Sequence, residues 1–256
     1  MEFRPCIDIH NGKVKQRVGG SLTDAAAKEN FVADKDAAHF ALLYKELGIK
    51  GGHVILLNGR GTPEYEATKA QALIALKAYP GGLQAGGGIA SDNAYEFLDA
   101  GASQVIVTSY VFRDGRIDMQ RLEEMRTAVG RDRLVLDLSC RKKEDGDYYI
   151  VTDRWQRFTE QKLSLELLMD LEAYAAEYLI HAVDVEGKQR GIEENVALLL
   201  GEYDGIPVTY AGGVHSLEDI DMLHRLGKGH VNVTVGSALD IFGGSIKMKD
   251  VMESVK

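Results

Sequence analysis

The chain of 256 residues predicts an α/β fold, a (βα)8 barrel built from two like halves, and three observations predict it. Short apolar runs alternate with helical patterns throughout, and eight β-then-α units can be counted, the number and length of a (βα)8, or TIM, barrel. The same signals also recur in the same order in each half. The acid-ended apolar runs Phe3–Ile9 and Arg133–Leu138 place Asp8 and Asp137 129 residues apart. QAGGGIAS (Gln84 to Ser91) and YAGGVHS (Tyr210 to Ser216) each precede a helical stretch and a valine-rich strand, VIVTS (Val105 to Ser109) and VNVTVGS (Val231 to Ser237). A repeat of this length is two half-barrels, at about 1–129 and 130–256, and not a solenoid period. Finally, no linker or low-complexity stretch interrupts the pattern, so residues 1–256 are expected to form a single domain. A doubly wound open sheet competes with this reading but leaves the half-repeat unexplained.

Strands are expected at Phe3–Ile9, His53–Leu57, Leu83–Ala85, Gln104–Thr108, Leu134–Leu138, Leu179–Val183, Val208–Ala211 and Val231–Val235. Between the first two, Lys35–Leu47 carries Phe40, Leu43 and Leu47 at helical spacing, and Gly48 is a natural stop. Glu64–Ala78, Asp92–Asp99, Met119–Val129, Ser164–Ala176, Glu193–Leu200 and Leu217–Leu226 read the same way. Ser91 and Ser216 stand where N-caps belong, each with an acid close behind, Asp92 and Glu218. Ser139–Phe158 breaks the rhythm: Asp145-Gly146 followed by Tyr-Tyr-Ile-Val reads as a hairpin after the fifth strand. A barrel places that segment at its catalytic mouth, where long loops act as lids.

The hydrophobic fraction of 45 % leaves ample material for a core. No apolar run approaches the roughly 18 residues that cross a membrane, and MEFRPCIDIH lacks the layout of a secretion signal. A net charge of −9 with no basic stripe argues against a nucleic-acid partner. Cys6 and Cys140 have neither CxxC spacing nor paired histidines, so no metal is expected and both are read as reduced thiols. A cytoplasmic monomer acting on a small molecule is the expectation.

Barrels do their chemistry at the C-terminal ends of the strands, where Asp8 and Asp137 fall on the first and fifth. Two such carboxylates can serve as general acid and general base on one substrate. Either acid alone is more readily a loop cap or a lysine partner; the matched positions in both halves reverse that balance and favour catalysis. Close-packed glycines let backbone N–H groups approach an anion, and in barrels the loops after strands seven and eight commonly hold phosphate. Gly212, Gly213, Gly236 and Ser237 occupy that place, and Gly87, Gly88, Thr108 and Ser109 are their counterparts after strands three and four. One such loop is equally well a tight turn. Two facing loops suggest an elongated substrate with a phosphate at each end.

IDIHNGKVKQ (Ile7 to Gln16), QAGGGI, RLVLDLS, HAVDVEG (His181 to Gly187), YAGGV and VTVGSALDIFGG resemble the phosphoribosylformimino-aminoimidazole carboxamide ribotide isomerases of histidine biosynthesis, over almost the whole chain. HNGKVKQ separates this resemblance from the sister cyclase, whose first strand reads more like LDVKDGRVVKG. The resemblance implies an Amadori rearrangement of an aminoaldose to an aminoketose, with no metal or organic cofactor. Asp137 would protonate the ribose ring oxygen, and Asp8 would take the C2 proton of the Schiff base that follows. The alternatives are the ammonia-dependent cyclase and a non-catalytic phosphate-ligand barrel.

Three departures from the common bacterial pattern resemble the eukaryotic-type branch. Leu56 replaces the second-strand aspartate, Ala182 or Val183 stands where a threonine usually ends the sixth strand, and the strand-five loop is longer. Weaker substrate-binding candidates are Arg17, Trp155 and Asp184; the lone tryptophan would stack on the imidazole carboxamide or simply pack. His53 and His181 read as hydrogen-bonded core histidines, and Asp34, Asp36, Glu193 and Glu194 as solvated helix starts.

Overall fold

Short β-branched runs with no alternation of polar residues are what parallel strands buried on both faces require, and eight of them form the centre of the molecule. The computed structural model describes residues 1–17, 29–186 and 191–255. The barrel strands are β1 (Cys6–His10), β2 (Gly52–Leu56), β3 (Leu83–Gly86), β4 (Val105–Val107), β5 (Leu134–Asp137), β6 (Glu177–His181), β7 (Val208–Ala211) and β8 (Asn232–Val233). Each pairs in parallel with the next. The ring closes where Phe3 bridges Val233, with Arg4 N–H donating to the Val233 carbonyl at 2.8 Å and Val233 N–H to that of Glu2 at 2.9 Å. This is the expected TIM barrel; an open doubly wound sheet would leave two edges apart.

The helices are α1 (Ala37–Glu46), α2 (Tyr65–Ala78), α3 (Ala94–Asp99), α4 (Met119–Val129), α5 (Leu165–Leu171), α6 (Glu194–Gly201), α7 (Leu217–Leu226) and α8 (Met248–Ser254). Ser216 caps α7 in a full capping box with Asp219, and Asp36 caps α1 by accepting from His39 N–H. Ser91 does not cap α3: Asn93 occupies the cap, and the Ser91 hydroxyl meets the Tyr110 hydroxyl at 2.9 Å instead.

The sixth strand lies two residues earlier than its apolar pattern suggests, starting at Glu177 and ending at His181. Side chains alternate along a strand. Tyr178 faces the helix layer, where its hydroxyl donates to the Leu168 carbonyl at 2.6 Å, while Glu177, Leu179 and His181 point inward. These three mark three levels of the interior. At the floor, buried Glu177 pairs with the Arg4 guanidinium and accepts from Gln84 Nε2 at 2.8 Å and Thr209 Oγ1 at 2.7 Å. Above it, Leu179 packs with Ile55, Ile106, Val135 and Ala211 as an apolar plug. His181 is at the level of the mouth, on the wall of a cavity.

Two ribbons decorate that mouth. After β1 the chain turns at Asn11-Gly12, both at positive φ (52° and 70°), and Lys13–Arg17 pairs antiparallel with β1. After β5 the expected hairpin forms around Asp145-Gly146, and a third strand extends it: Cys140–Lys142, Tyr148–Thr152 and Arg157–Lys162.

Candidate active site

A cavity of about 630 Å³ opens at the C-terminal ends of the barrel strands, a volume suited to a small organic ligand. Asp8 and Asp137 both line it. So do Gly87 and Gly88, Thr108 and Ser109, Gly212 and Gly213, Gly236 and Ser237, and Trp155. The topology brings them together because each sits at, or just beyond, the same end of its strand.

Asp8 sits in a poorly solvated corner. Gln16, on the first ribbon, donates from Nε2 to Asp8 Oδ2 at 3.4 Å, and Cys6 Sγ lies 3.5 Å from the same oxygen. Burial and the nearby Glu186 carboxylate push the Asp8 carboxyl up to about 6, against the opposing pull of Cys6, His181 and Gln16. Asp137 is differently placed. Its Oδ1 accepts from the Ser139 N–H at 2.8 Å and hydroxyl at 2.6 Å, and its Oδ2 accepts from Thr108 Oγ1 at 3.0 Å.

The two glycine turns share one geometry. Gly87 and Gly88 have φ of 98° and 71°; Gly212 and Gly213 have 116° and 78°. A Cβ on Gly87 would strike the carbonyl oxygen of Leu56 at the end of β2, and one on Gly212 would lie 2.6 Å from that of Ala182, just past β6. The half-repeat read in the sequence is thus a repeated backbone conformation, with each turn folded tightly over the strand before it.

Trp155 is in the second turn of the strand-five ribbon, between Tyr148–Thr152 and Arg157–Lys162, where Asp153, Arg154 and Trp155 are all left-handed (φ 53°, 57° and 67°). Its indole N–H donates to Ser139 Oγ at 3.1 Å, and its ring meets His181 edge-on with centroids 4.5 Å apart. Asp184 does not join the cavity. It lies in the helical turn Val183–Val185, and its carboxylate accepts from Arg141 Nε at 3.0 Å and Lys142 N–H at 2.8 Å, anchoring the hairpin's first strand. Arg17 ends the first ribbon, and its side chain lies outside the described residues.

Ala182 and Val183, one of which stands where the threonine is usual, are buried and do not line the cavity. The side chain facing the cavity at the end of β6 is His181, whose Nε2 lies 2.8 Å from Glu186 Oε2. Its apolar neighbours in sequence pointed to a core position; the strand register, two residues earlier, turns it to the mouth. His53 also lines the cavity, and burial drives its imidazole down to about 3, leaving it neutral. Arg60, on the rim, makes a bidentate pair with Asp92 at 2.9 and 3.0 Å and lies over Gly88; nothing in the sequence distinguished it from any loop arginine. Among the described residues, no group of His, Cys, Asp and Glu is arranged to hold a metal ion, and no helix is long and apolar enough to cross a membrane. Both cysteines are free and buried.

Fold and cavity together define a TIM barrel with a ligand-sized cavity at the C-terminal ends of its strands. Residues 2–247 match the family described as histidine biosynthesis protein, and the chain belongs to that family. It is 54 % identical over 258 residues to a Medicago truncatula protein named 1-(5-phosphoribosyl)-5-((5-phosphoribosylamino)methylideneamino)imidazole-4-carboxamide isomerase, chloroplastic, covering 98 % of this chain and 81 % of that one. Proteins with the same isomerase name from Neurospora crassa (47 % identical; 94 % and 93 % covered) and Saccharomyces cerevisiae (42 %; 97 % and 96 %) are similar over nearly their whole lengths.

Proposed function

We propose that this protein is the isomerase its relatives are named for. It would convert the bis-phosphorylated aminoaldose to the corresponding aminoketose by an Amadori rearrangement, as a step of histidine biosynthesis. The observation that carries the reading is the placement of Asp8 on β1 and Asp137 on β5, opposite strands in the ring, facing one cavity flanked by the two matched glycine turns.

That placement supports the following chemistry. Asp137 donates a proton to the ribose ring oxygen, the C1–O bond breaks, and a Schiff base forms. Thr108 is suited to this step, because its hydroxyl can donate to the ionised acid and rotate to accept from the protonated one. Asp8 then takes the C2 proton. A carboxyl held at about 6 is mostly ionised at neutral pH and is a stronger base than an ordinary aspartate. The enolamine collapses to the ketone as C1 regains a proton. Backbone N–H groups of the Gly87–Gly88 and Gly212–Gly213 turns would hold the terminal phosphates, with the N-terminus of α7 adding its positive end behind the second. Trp155 would lie against the imidazole carboxamide and exclude water.

The test is to mix the purified protein with the aminoaldose and follow the ultraviolet change without ammonia or any glutaminase. Turnover supports the isomerase. A requirement for ammonia would point to the cyclase, and binding without conversion would leave a ligand-binding barrel; either overturns the proposal.

A further inference from the structure

His181 stands among more charged groups than any other histidine described at the mouth. Asp8 faces it from β1, His53 from β2, Asp137 from β5, and Glu186 from the turn beyond β6. Glu186 Oε2 is 2.8 Å from Nε2, and the edge-on Trp155 indole lies against the ring. The two side chains of the pair are only 19 % and 23 % exposed, so solvent screens their attraction weakly. Burial works against a charge on this imidazole, but Glu186, Asp137 and Asp8 outweigh it and raise its proton affinity above the ordinary value. His53, without such a partner, is driven the other way. The cavity wall therefore carries two imidazoles biased in opposite directions, His181 towards holding a proton and His53 towards losing it.

We propose that His181 and Glu186 form a positioning pair for the reaction: Glu186 fixes the imidazole at the end of β6, where its positive charge faces both catalytic carboxylates and its ring seats the Trp155 indole on the lid. Glu186 and His181 act on Asp8 with opposite sign, the carboxylate raising its proton affinity and the imidazolium lowering it. The pair thus keeps the base ionised without making it as weak as an exposed aspartate. Without the His181 charge, Asp8 would hold its proton to higher pH and the lid tryptophan would lose the ring it rests on.

The proposal builds on the isomerase reading, yet its first test needs no substrate. Trp155 is the only tryptophan, and a protonated imidazole in contact quenches indole emission more strongly than a neutral one. Acidifying the protein should quench Trp155 with a midpoint above the ordinary imidazole value. Glu186→Gln should move that midpoint to lower pH, and His181→Gln should abolish the step. A missing step in the parent, or a midpoint unmoved in Glu186→Gln, overturns the pairing whatever the enzyme's substrate. The second test is the pH profile of kcat/KM. In His181→Gln the acidic limb should shift to higher pH, with activity recovering as the pH is raised; a lower rate with the limb in place would reduce His181 to packing and overturn its electrostatic role.

Discussion

The Ser139 hydroxyl donates to Asp137 Oδ1 at 2.6 Å while accepting the Trp155 indole N–H at 3.1 Å. One buried serine thus ties the Trp155 turn to the carboxylate proposed as the acid. Ser139→Ala removes both bonds and leaves the backbone N–H bond to Asp137 in place. A buried hydrogen bond to a charged group contributes about 1.5–3 kcal/mol, so kcat should fall on the order of tenfold or more, with a rise in KM as the tryptophan is released. Steady-state kinetics would show it; unchanged constants would break the link between lid and acid.

Asp8→Asn and Asp137→Asn should each lower turnover by roughly 10²–10⁴-fold, the usual contribution of a placed acid or base, with circular dichroism unchanged. Near-normal activity in either variant would remove that residue from its role.

Asp8 also links activity to stability. Its folded-state carboxyl titrates near 6 against an ordinary 3.8, so it disfavours the folded state. That penalty is absent below the ordinary value, grows as pH rises towards 6, and is complete above it. Asp8→Asn should therefore stabilise the protein at pH 7 by as much as about 3 kcal/mol, less where water in the cavity reaches the carboxylate, and by almost nothing near pH 4. Thermal denaturation at the two pH values checks the sign.

The same group sets the acidic limb of the pH profile. kcat/KM should fall as pH drops through about 6, because Asp8 then carries the proton it must remove from substrate. A profile flat to pH 5 would contradict Asp8 as the base.

The phosphate turns call for a test that spares their glycines. A side chain at Gly212 or Gly87 collides with a neighbouring carbonyl whatever binds there, so loss of activity in such variants would say nothing about phosphate. Ser237 lines the cavity and is partly exposed. Ser237→Asp would set a carboxylate against the anion, and at about 2 kcal/mol of repulsion KM should rise on the order of thirtyfold with the fold intact. An unchanged KM, or a sulfate-soaked crystal without anions at both turns, would count against the cradles.

At the opposite end of the barrel, Glu177→Ala strips Arg4, Gln84 and Thr209 of their shared acceptor. Arg4 keeps Glu2 at 3.0 Å but loses its buried partner, and breaking a buried ion pair costs up to about 3–5 kcal/mol. The melting temperature should drop steeply, while kcat, measured where the variant is still folded, should hold.

The barrel, most of its helices and the placement of Asp8 and Asp137 at one mouth were legible because they rest on local signals: apolar runs, helical spacing, and the recurrence of one pattern half a chain later. The sixth strand was misplaced because its first inward residue is Glu177, a charge that no apolar pattern announces and that Arg4, Gln84 and Thr209, from elsewhere in the chain, make tolerable. That shift also hid His181, which apolar neighbours disguised as core. The Asn11-Gly12 turn carried a readable hairpin signal that went unused. Asp184 read as a ligand because it follows a barrel strand, but the hairpin strand that claims its carboxylate comes from a different loop.

Sequence alone determined the architecture, the twinned acids and the twinned glycine turns, since repetition along the chain becomes symmetry around a closed ring. Tertiary structure decided what each acid feels: Asp8 crowded by Glu186 in a poorly solvated corner, Asp137 held by Thr108 and Ser139, and His181 set between them. The reason is physical. Desolvation and charge act through space over a few ångströms, and only folding brings residues from β1, β4, β5 and β6 within that range.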